Sequence, residues 1–204
     1  MNYDIQINNL FPIPVAQINV NYQLTEDLLL FIKKQEITYN YSNYTSKNKF
    51  ILDSPELLDL KTIFNSIVKE FVTTIYNPKY GIDFYITQSW INYSSSMDSH
   101  HRHSHPNSIL SGVYYIENSN TDTGKIHFYN NNYRQLYLEP KEYNVYNTVN
   151  WWFNGIPGQL LLFPSHLTHD VEAVNYNETR ISLSFNTFAR GMFGDNDALT
   201  GLSI

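Results

Sequence analysis

The chain has 204 residues, 42% of them hydrophobic and 16% aromatic, which suits one domain with a sizeable core and argues against disorder. Thirteen basic side chains against 19 acidic ones give a formal charge of −6 without any Lys/Arg cluster, so a nucleic-acid backbone is excluded as the main partner. Cysteine is absent, which removes disulfides, thiolate metal sites and cysteine nucleophiles together; a metal would need nitrogen and oxygen ligands.

The first residues, MNYDIQINNLFPIPV, carry no basic stretch followed by an apolar one, and no apolar run approaches the roughly 20 residues that span a bilayer. The expectation is a soluble cytoplasmic protein with no membrane partner. From Val15 to Val20 the chain alternates and reads as an edge strand, with Pro12 and Pro14 tolerable at its start. A first helix is capped by Thr25, carries Glu26 and Asp27 at the positive end of its dipole, and runs to about Gln35. A second has Ser54 as cap and Pro55 at its first position. Its apolar residues, from Leu57 through Leu60, Phe64, Val68 and Phe71 to Ile75, recur every three or four positions and face a core.

After Asn77-Pro78 the pattern changes to short β segments at about 83–92, 109–117, 125–129, 134–138, 142–154, 159–163, 170–174 and 180–188. That many short strands predict a sandwich or barrel with the helices packed on one sheet face, an α+β fold that is mainly β. One domain follows: 1–80 supply the first strand and supporting helices, 81–188 the β core, and 189–204 a loosely docked tail.

Five of seven histidines stand out by position: His100, His101, His103 and His105 in one short segment, and His169 far downstream. In extended chain, residues two apart point the same way, so His103 and His105 can approach one ion while His100 and His101 cannot both join them. With His169 they would supply three nitrogens on one side of a metal and leave open positions. His127 and His166 read as wall or rim residues, and Trp151-Trp152-Phe153 as a core or lid cluster.

Downstream of His169, residues 170–174 and 179–186 read as a hairpin closed by the turn 175–178. In its second strand Ile181, Leu183 and Phe185 share one face; Arg180, Ser182, Ser184 and Asn186 share the other. With the apolar face under the helices, Arg180 points inward, and a buried arginine needs an anion. The assumed register sets His169 about 13 Å from Arg180 at about 3.3 Å per residue, a gap a dicarboxylate could bridge. A salt bridge to Glu172 or Glu178 is the simpler alternative.

The runs Trp90-Ile91-Asn92, His103-Ser104-His105-Pro106-Asn107-Ser108, Ser111-Gly112-Val113-Tyr114-Tyr115, Gly158 to Ser165, and Arg180 to Asn186 resemble a phage and marine-bacterial branch of the 2-oxoglutarate/Fe(II) oxygenase superfamily. The opening Phe11-Pro12-Ile13-Pro14-Val15 is similar to that branch's N-terminal signature.

The resemblance implies a double-stranded β-helix (jelly roll), Fe(II), 2-oxoglutarate and O2, and hydroxylase chemistry. It places His103 and His169 on the iron-binding histidines and Arg180 on the residue gripping the distal carboxylate of 2-oxoglutarate. Tyr93 and Tyr115 fall where prolyl-hydroxylase-like relatives set tyrosines against the cosubstrate, and Ser182, two residues after Arg180, joins that group. The superfamily's usual motif is His-x-Asp/Glu, whereas this chain has His105 at the third position; Asp98 and Asp170 are the fallback carboxylates, though Asp170 would point away from its neighbour His169.

The expected partners are a small-molecule or peptide substrate and a second copy in a homodimer, in the host cytoplasm if the source is viral. Two other classes fit the histidines: a metal-stabilised virion or interaction module, with a closed coordination sphere and no cavity beside Arg180, and a three-histidine cupin-like enzyme that does not use 2-oxoglutarate.

Overall fold

A computed structural model describes residues 3–130, 136 and 138–204. In chain order the elements are β1 (Ala16–Asn19), α1 (Glu26–Lys33), β2 (Ile37–Asn40), β3 (Asn43–Ser46), α2 (Leu58–Ile75), β4 (Ile82–Ser95), β5 (His100–His103) and β6 (Leu110–Asn118). They continue with β7 (Ile126–Tyr129), β8 (Asn150–Phe153), β9 (Gln159–Pro164), β10 (His169–Val171), β11 (Thr179–Phe193) and β12 (Leu202–Ser203).

Both helices follow from their sequence signals with small shifts. Thr25 is extended and its hydroxyl accepts from Leu28 N at 3.3 Å, satisfying a donor that the first turn leaves unpaired. At Ser54-Pro55 the chain first makes a 3₁₀ turn, with Leu57 N donating to Ser54 O at 2.9 Å, and the α-helix begins only at Leu58. The Ser54 hydroxyl therefore caps nothing. Leu60, Phe64, Val68, Phe71 and Val72 bury the α2 stripe against the larger sheet.

That sheet runs in the order β1-β9-β6-β11-β4-β3-β2, with β12 added to the end of β11; a smaller sheet runs β5-β10-β7-β8. The named strand pairs are antiparallel, and β1 lies on the edge against β9, as its prolines require. The two sheets form the double-stranded β-helix. Strand alternation divides the apolar residues between two cores. Tyr114, Ile116, Leu160, Leu162, Leu183 and Phe185 pack under the helices, whereas Val113, Tyr115, Leu161 and Phe163 meet Ile126, Phe128 and Val171 between the sheets. A strand covered on both faces has no polar side, which explains the unbroken run Leu160 to Phe163.

The 170–174/180–188 hairpin is not formed. β10 pairs with β5 and β7 in the small sheet, while β11 pairs with β4 and β6 in the large one. The segment between them crosses from sheet to sheet, tied down by Val174 N on Asp98 O at 3.0 Å and Met97 N on Val174 O at 2.9 Å. Alternating residues on both sides of a turn look the same whether the strands pair or face each other. Of the segment 142–154 only Asn150–Phe153 is strand, because Asn144 and Asn147 side chains accept from nearby backbone N–H groups and fold 142–149 into turns. The expected strand at 134–138 lies largely outside the described residues. The tail is less loose than expected: β11 continues to Phe193, and Met192 and Phe193 pair with Ser203 and Leu202. The short strands β2, β3 and β5 fall outside the segments expected to be strand.

Candidate metal centre and anion pocket

His103, at the end of β5, is the direct cross-strand partner of His169 at the start of β10. His105 lies past the strand end, where its N–H donates to Ser165 O at 2.9 Å and holds it beside the turn leading into β10. The result is a cluster in which one ring nitrogen from each of His103, His105 and His169 lies within 4.8 Å of the other two.

Nδ1 of His103 is 2.7 Å from His101 O, and Nδ1 of His169 is 2.8 Å from Leu167 O. A carbonyl can only accept, so both Nδ1 atoms carry the proton and both Nε2 lone pairs are free. Burial, with neighbouring rings adding to it, pushes His105 down to about 3 and His169 to about 4, and burial lowers His103 as well. The rings are neutral at neutral pH, the form that ligates a metal.

Arg180 is 3% exposed and lines the same cavity as His103, His105 and His169. It faces the small sheet because β11 presents Ile181, Leu183 and Phe185 to the helices. Its guanidinium lies 5.1 Å from the Tyr115 ring centroid, and its Nε has no hydrogen-bond partner among the described residues. Neither alternative ion pair is made: the Glu178 carboxylate accepts from Asn120 Nδ2 at 2.7 Å and Asn175 N at 3.0 Å, and Glu172 meets His127 Nε2 at 3.2 Å. Room for the arginine comes from Gly124, in the left-handed region at φ +64°, where a Cβ would sit 3.1 Å from Arg180 Cδ.

Two more buried donors near Arg180, Ser182 Oγ on the cavity wall and Tyr115 Oη, donate to nothing among the described residues. Burial pushes the Tyr115 hydroxyl up, with the Arg180 charge opposing, so it is protonated and able to donate. Unsatisfied buried donors are costly. The guanidinium with its free Nε and these two hydroxyls beside it fit a carboxylate, and three neutral imidazoles in the same cavity fit a divalent cation of borderline softness.

Tyr93 does not belong to this group. Asn92 and Ser94 alternate with it toward the cavity side of β4, so Tyr93 faces the helices, where its hydroxyl donates to Ile32 O at 2.5 Å and burial raises its pKa to about 12. Asp170 points out of the barrel to Arg102 and Tyr129, and Asp98 accepts from Ser95 N; neither joins the histidines. His127 also faces outward, His166 is exposed at the rim, and Trp151 and Trp152 stack on the edge of the small sheet, 37% and 43% exposed. Sequence reading missed Trp90, Asn92, His100 and Ser111, all on the cavity wall. The alternation that exposes Ser182 and Ser184 also exposes Trp90 and Asn92 on the neighbouring strand, and that signal was available. Trp90 Nε1 donates to Asn92 Oδ1 at 3.2 Å, and Asn92 Nδ2 to Ser184 Oγ at 2.9 Å, so this wall is a fixed polar chain.

A double-stranded β-helix holding a three-nitrogen group and an inward arginine in one cavity defines a metal-dependent enzyme of anionic cosubstrates. The cavity beside Arg180 is at odds with the interaction-module reading, which required none. Residues 88–186 match the family model described as "Putative 2OG-Fe(II) oxygenase". That segment carries all three histidines and Arg180, and the chain is a 2-oxoglutarate-dependent dioxygenase that uses Fe(II), 2-oxoglutarate and O2.

Among solved structures, the chain is similar to a Pseudomonas putida prolyl-4-hydroxylase (TM-score 0.63, 12% identity, 88% of this chain and 94% of that one). It is also similar to HygX of Streptomyces hygroscopicus, crystallised with nickel and 2-oxoglutarate (TM-score 0.60, 8% identity, 86% and 82%). A third is the viral collagen prolyl hydroxylase of Paramecium Bursaria Chlorella virus-1 (TM-score 0.53, 11% identity, 85% and 94%). At these identities the likeness is one of fold. No curated protein matches the chain by sequence. Among the described residues no helix is long and apolar enough to cross a membrane.

Proposed function

We propose that the chain is a hydroxylase of a cytoplasmic small molecule or peptide, in which His103, His105 and His169 hold Fe(II) and Arg180, helped by Ser182 and Tyr115, holds the distal carboxylate of 2-oxoglutarate. When bound, iron and 2-oxoglutarate supply oxidative decarboxylation of the cosubstrate coupled to oxidation of a substrate C–H bond. Residues 1–204 work as one domain, paired in a homodimer.

The observation that carries this reading is a buried arginine without a counter-ion among the described residues, in the same cavity as three neutral histidines. His103 and His169 are pre-oriented by their Nδ1–carbonyl bonds, so Nε2 of each is fixed without rearrangement on binding. Arg180 and Ser182 fix the far end of the diacid and so set which end reaches the histidines. With His105 in place of a carboxylate, the three ligands bring no negative charge. One carboxylate of the diacid would offset part of the ion's charge and the other that of Arg180, which couples the binding of ion and cosubstrate. The apolar wall formed by Val113, Ile126 and Val171 excludes water from that pair.

Anaerobic titration with Fe(II) and then 2-oxoglutarate tests this by the weak visible charge-transfer band of the chelated complex. The band is expected in the parent and absent in His169→Ala. A parent with no band refutes the reading.

A further inference from the structure

A second group of potential metal ligands stands beside the first. His100, His101 and His103 each present a ring nitrogen within 4.8 Å of the other two. Their ring centroids are 4.5 Å (His100–His103), 5.0 Å (His101–His103) and 5.1 Å (His100–His101) apart. The three residues run from outside to inside: His101 is exposed and lines an open groove on the small sheet, His103 lines the cavity, and His100 lines both.

His103 is common to both triads. Its Nδ1 proton is committed to His101 O, so one lone pair remains, and one ion at a time can use it. The two triads are therefore alternative seats that share a ligand, the outer one open to solvent and the inner one half-buried.

We propose that His100, His101 and His103 form an outer capture site for a divalent first-row transition cation, which is handed to the inner triad through the shared His103. The proposal rests on the reading of His103, His105 and His169 as the iron seat. Imidazole nitrogens suit such ions, and all three come from one four-residue strand, so capture needs no distant element to move. Arg102, the cation within this strand, is drawn away: its Nε is 3.2 Å from Asp170 Oδ2 and its guanidinium lies 3.4 Å from the Tyr129 ring centroid. Asn40 Nδ2 makes a long contact of 3.4 Å with His100 Nε2, which a metal bond would replace. An ion held one ring away from the inner triad is present there at high effective concentration, so transfer outpaces capture from bulk.

Co(II) is the probe, followed anaerobically by its visible spectrum and by stopped-flow loading in the full-length parent, His101→Ala, His105→Ala and the His101→Ala/His105→Ala double variant. The parent and His101→Ala should each bind one Co(II), with affinities within threefold and a spectrum that changes on adding 2-oxoglutarate. Loading of His101→Ala should be at least tenfold slower. His105→Ala should still bind one Co(II), with a spectrum insensitive to 2-oxoglutarate, and the double variant should bind it at least tenfold more weakly than His105→Ala. His101 is exposed, so its removal leaves the fold intact. A His101→Ala loading rate within twofold of the parent, or equal affinities in His105→Ala and the double variant, overturns the capture site. A parent spectrum blind to 2-oxoglutarate refutes instead the iron-seat reading beneath it.

Discussion

Replacing Arg180 by Met should move stability in opposite directions with and without cosubstrate. In the free protein Arg180 is 3% exposed and its Nε has no partner, so it carries an uncompensated desolvation cost. Exchanging a buried charge for a well-packed apolar side chain is worth about 1–4 kcal/mol. Against this stands the Tyr115 ring, 5.1 Å from the guanidinium, whose attraction is worth about 0.5–2 kcal/mol. Set against each other at their midpoints, about 2.5 and about 1.2 kcal/mol, these leave a gain of about 1 kcal/mol, or a Tm rise of about 2–4 °C for a domain of this size. Adding 2-oxoglutarate at 100 times its Kd stabilises the parent by about 2.7 kcal/mol, some 5–11 °C. Losing one partner of a buried charge pair costs about 2–5 kcal/mol of binding, so the same concentration should stabilise the variant by less than about 1 kcal/mol. Thermal melts with Mn(II), without oxygen, with and without 2-oxoglutarate, measure all four states. The reasoning is refuted by a free variant that melts 5 °C or more below the parent, or by equal shifts with 2-oxoglutarate in both proteins.

Tyr93→Phe deletes the donor to Ile32 O and should cost about 1–2 kcal/mol, seen as a lower urea midpoint, while the Kd for 2-oxoglutarate stays within twofold. A tenfold loss of affinity would return Tyr93 to the cosubstrate site. The metal-free protein should lose stability as pH falls below about 6.5. His105 and His169 are depressed to about 3 and 4 in the folded chain, so over that window the unfolded chain binds more protons and acid favours it. For His169, 4% exposed, the slope approaches about 1.4 kcal/mol per pH unit and levels off near pH 4. The half-buried His105 contributes less. A urea midpoint constant from pH 7 to 4.5 would show that these rings are not buried neutral.

The parts of this fold legible in the sequence are those specified by neighbours along the chain. Thr25 announces α1 because capping acts across three residues, and the stripe of α2 announces a covered face because its period is local. The same holds for the doubly buried run of β9. Short strands such as β2, β3 and β5 have no such signature. Asn43, Thr45 and Ser46 are buried polar residues whose strand exists only because β4 is there to pair with it. β5 is four residues of His and Arg with poor strand propensity, held by β10.

The site illustrates the same division. Pairing partners are non-local, so the expected hairpin from His169 to Arg180 does not form; which face a side chain takes is local, and Arg180 lines the cavity. In a hairpin, His169 and Arg180 would lie on one sheet, separated along it by several residues. With β10 and β11 on opposing sheets they meet across the barrel, and a diacid can run from one wall to the other through the cavity both residues line. Tyr93 failed for the complementary reason. It was placed by resemblance to relatives, while its own alternation with Asn92 and Ser94 assigns it to the helix side. Where a local pattern and a family position disagree, the pleat decides, because a one-residue shift in facing would bury Asn92 and Ser94 under the helices and turn Ile91 into the cavity.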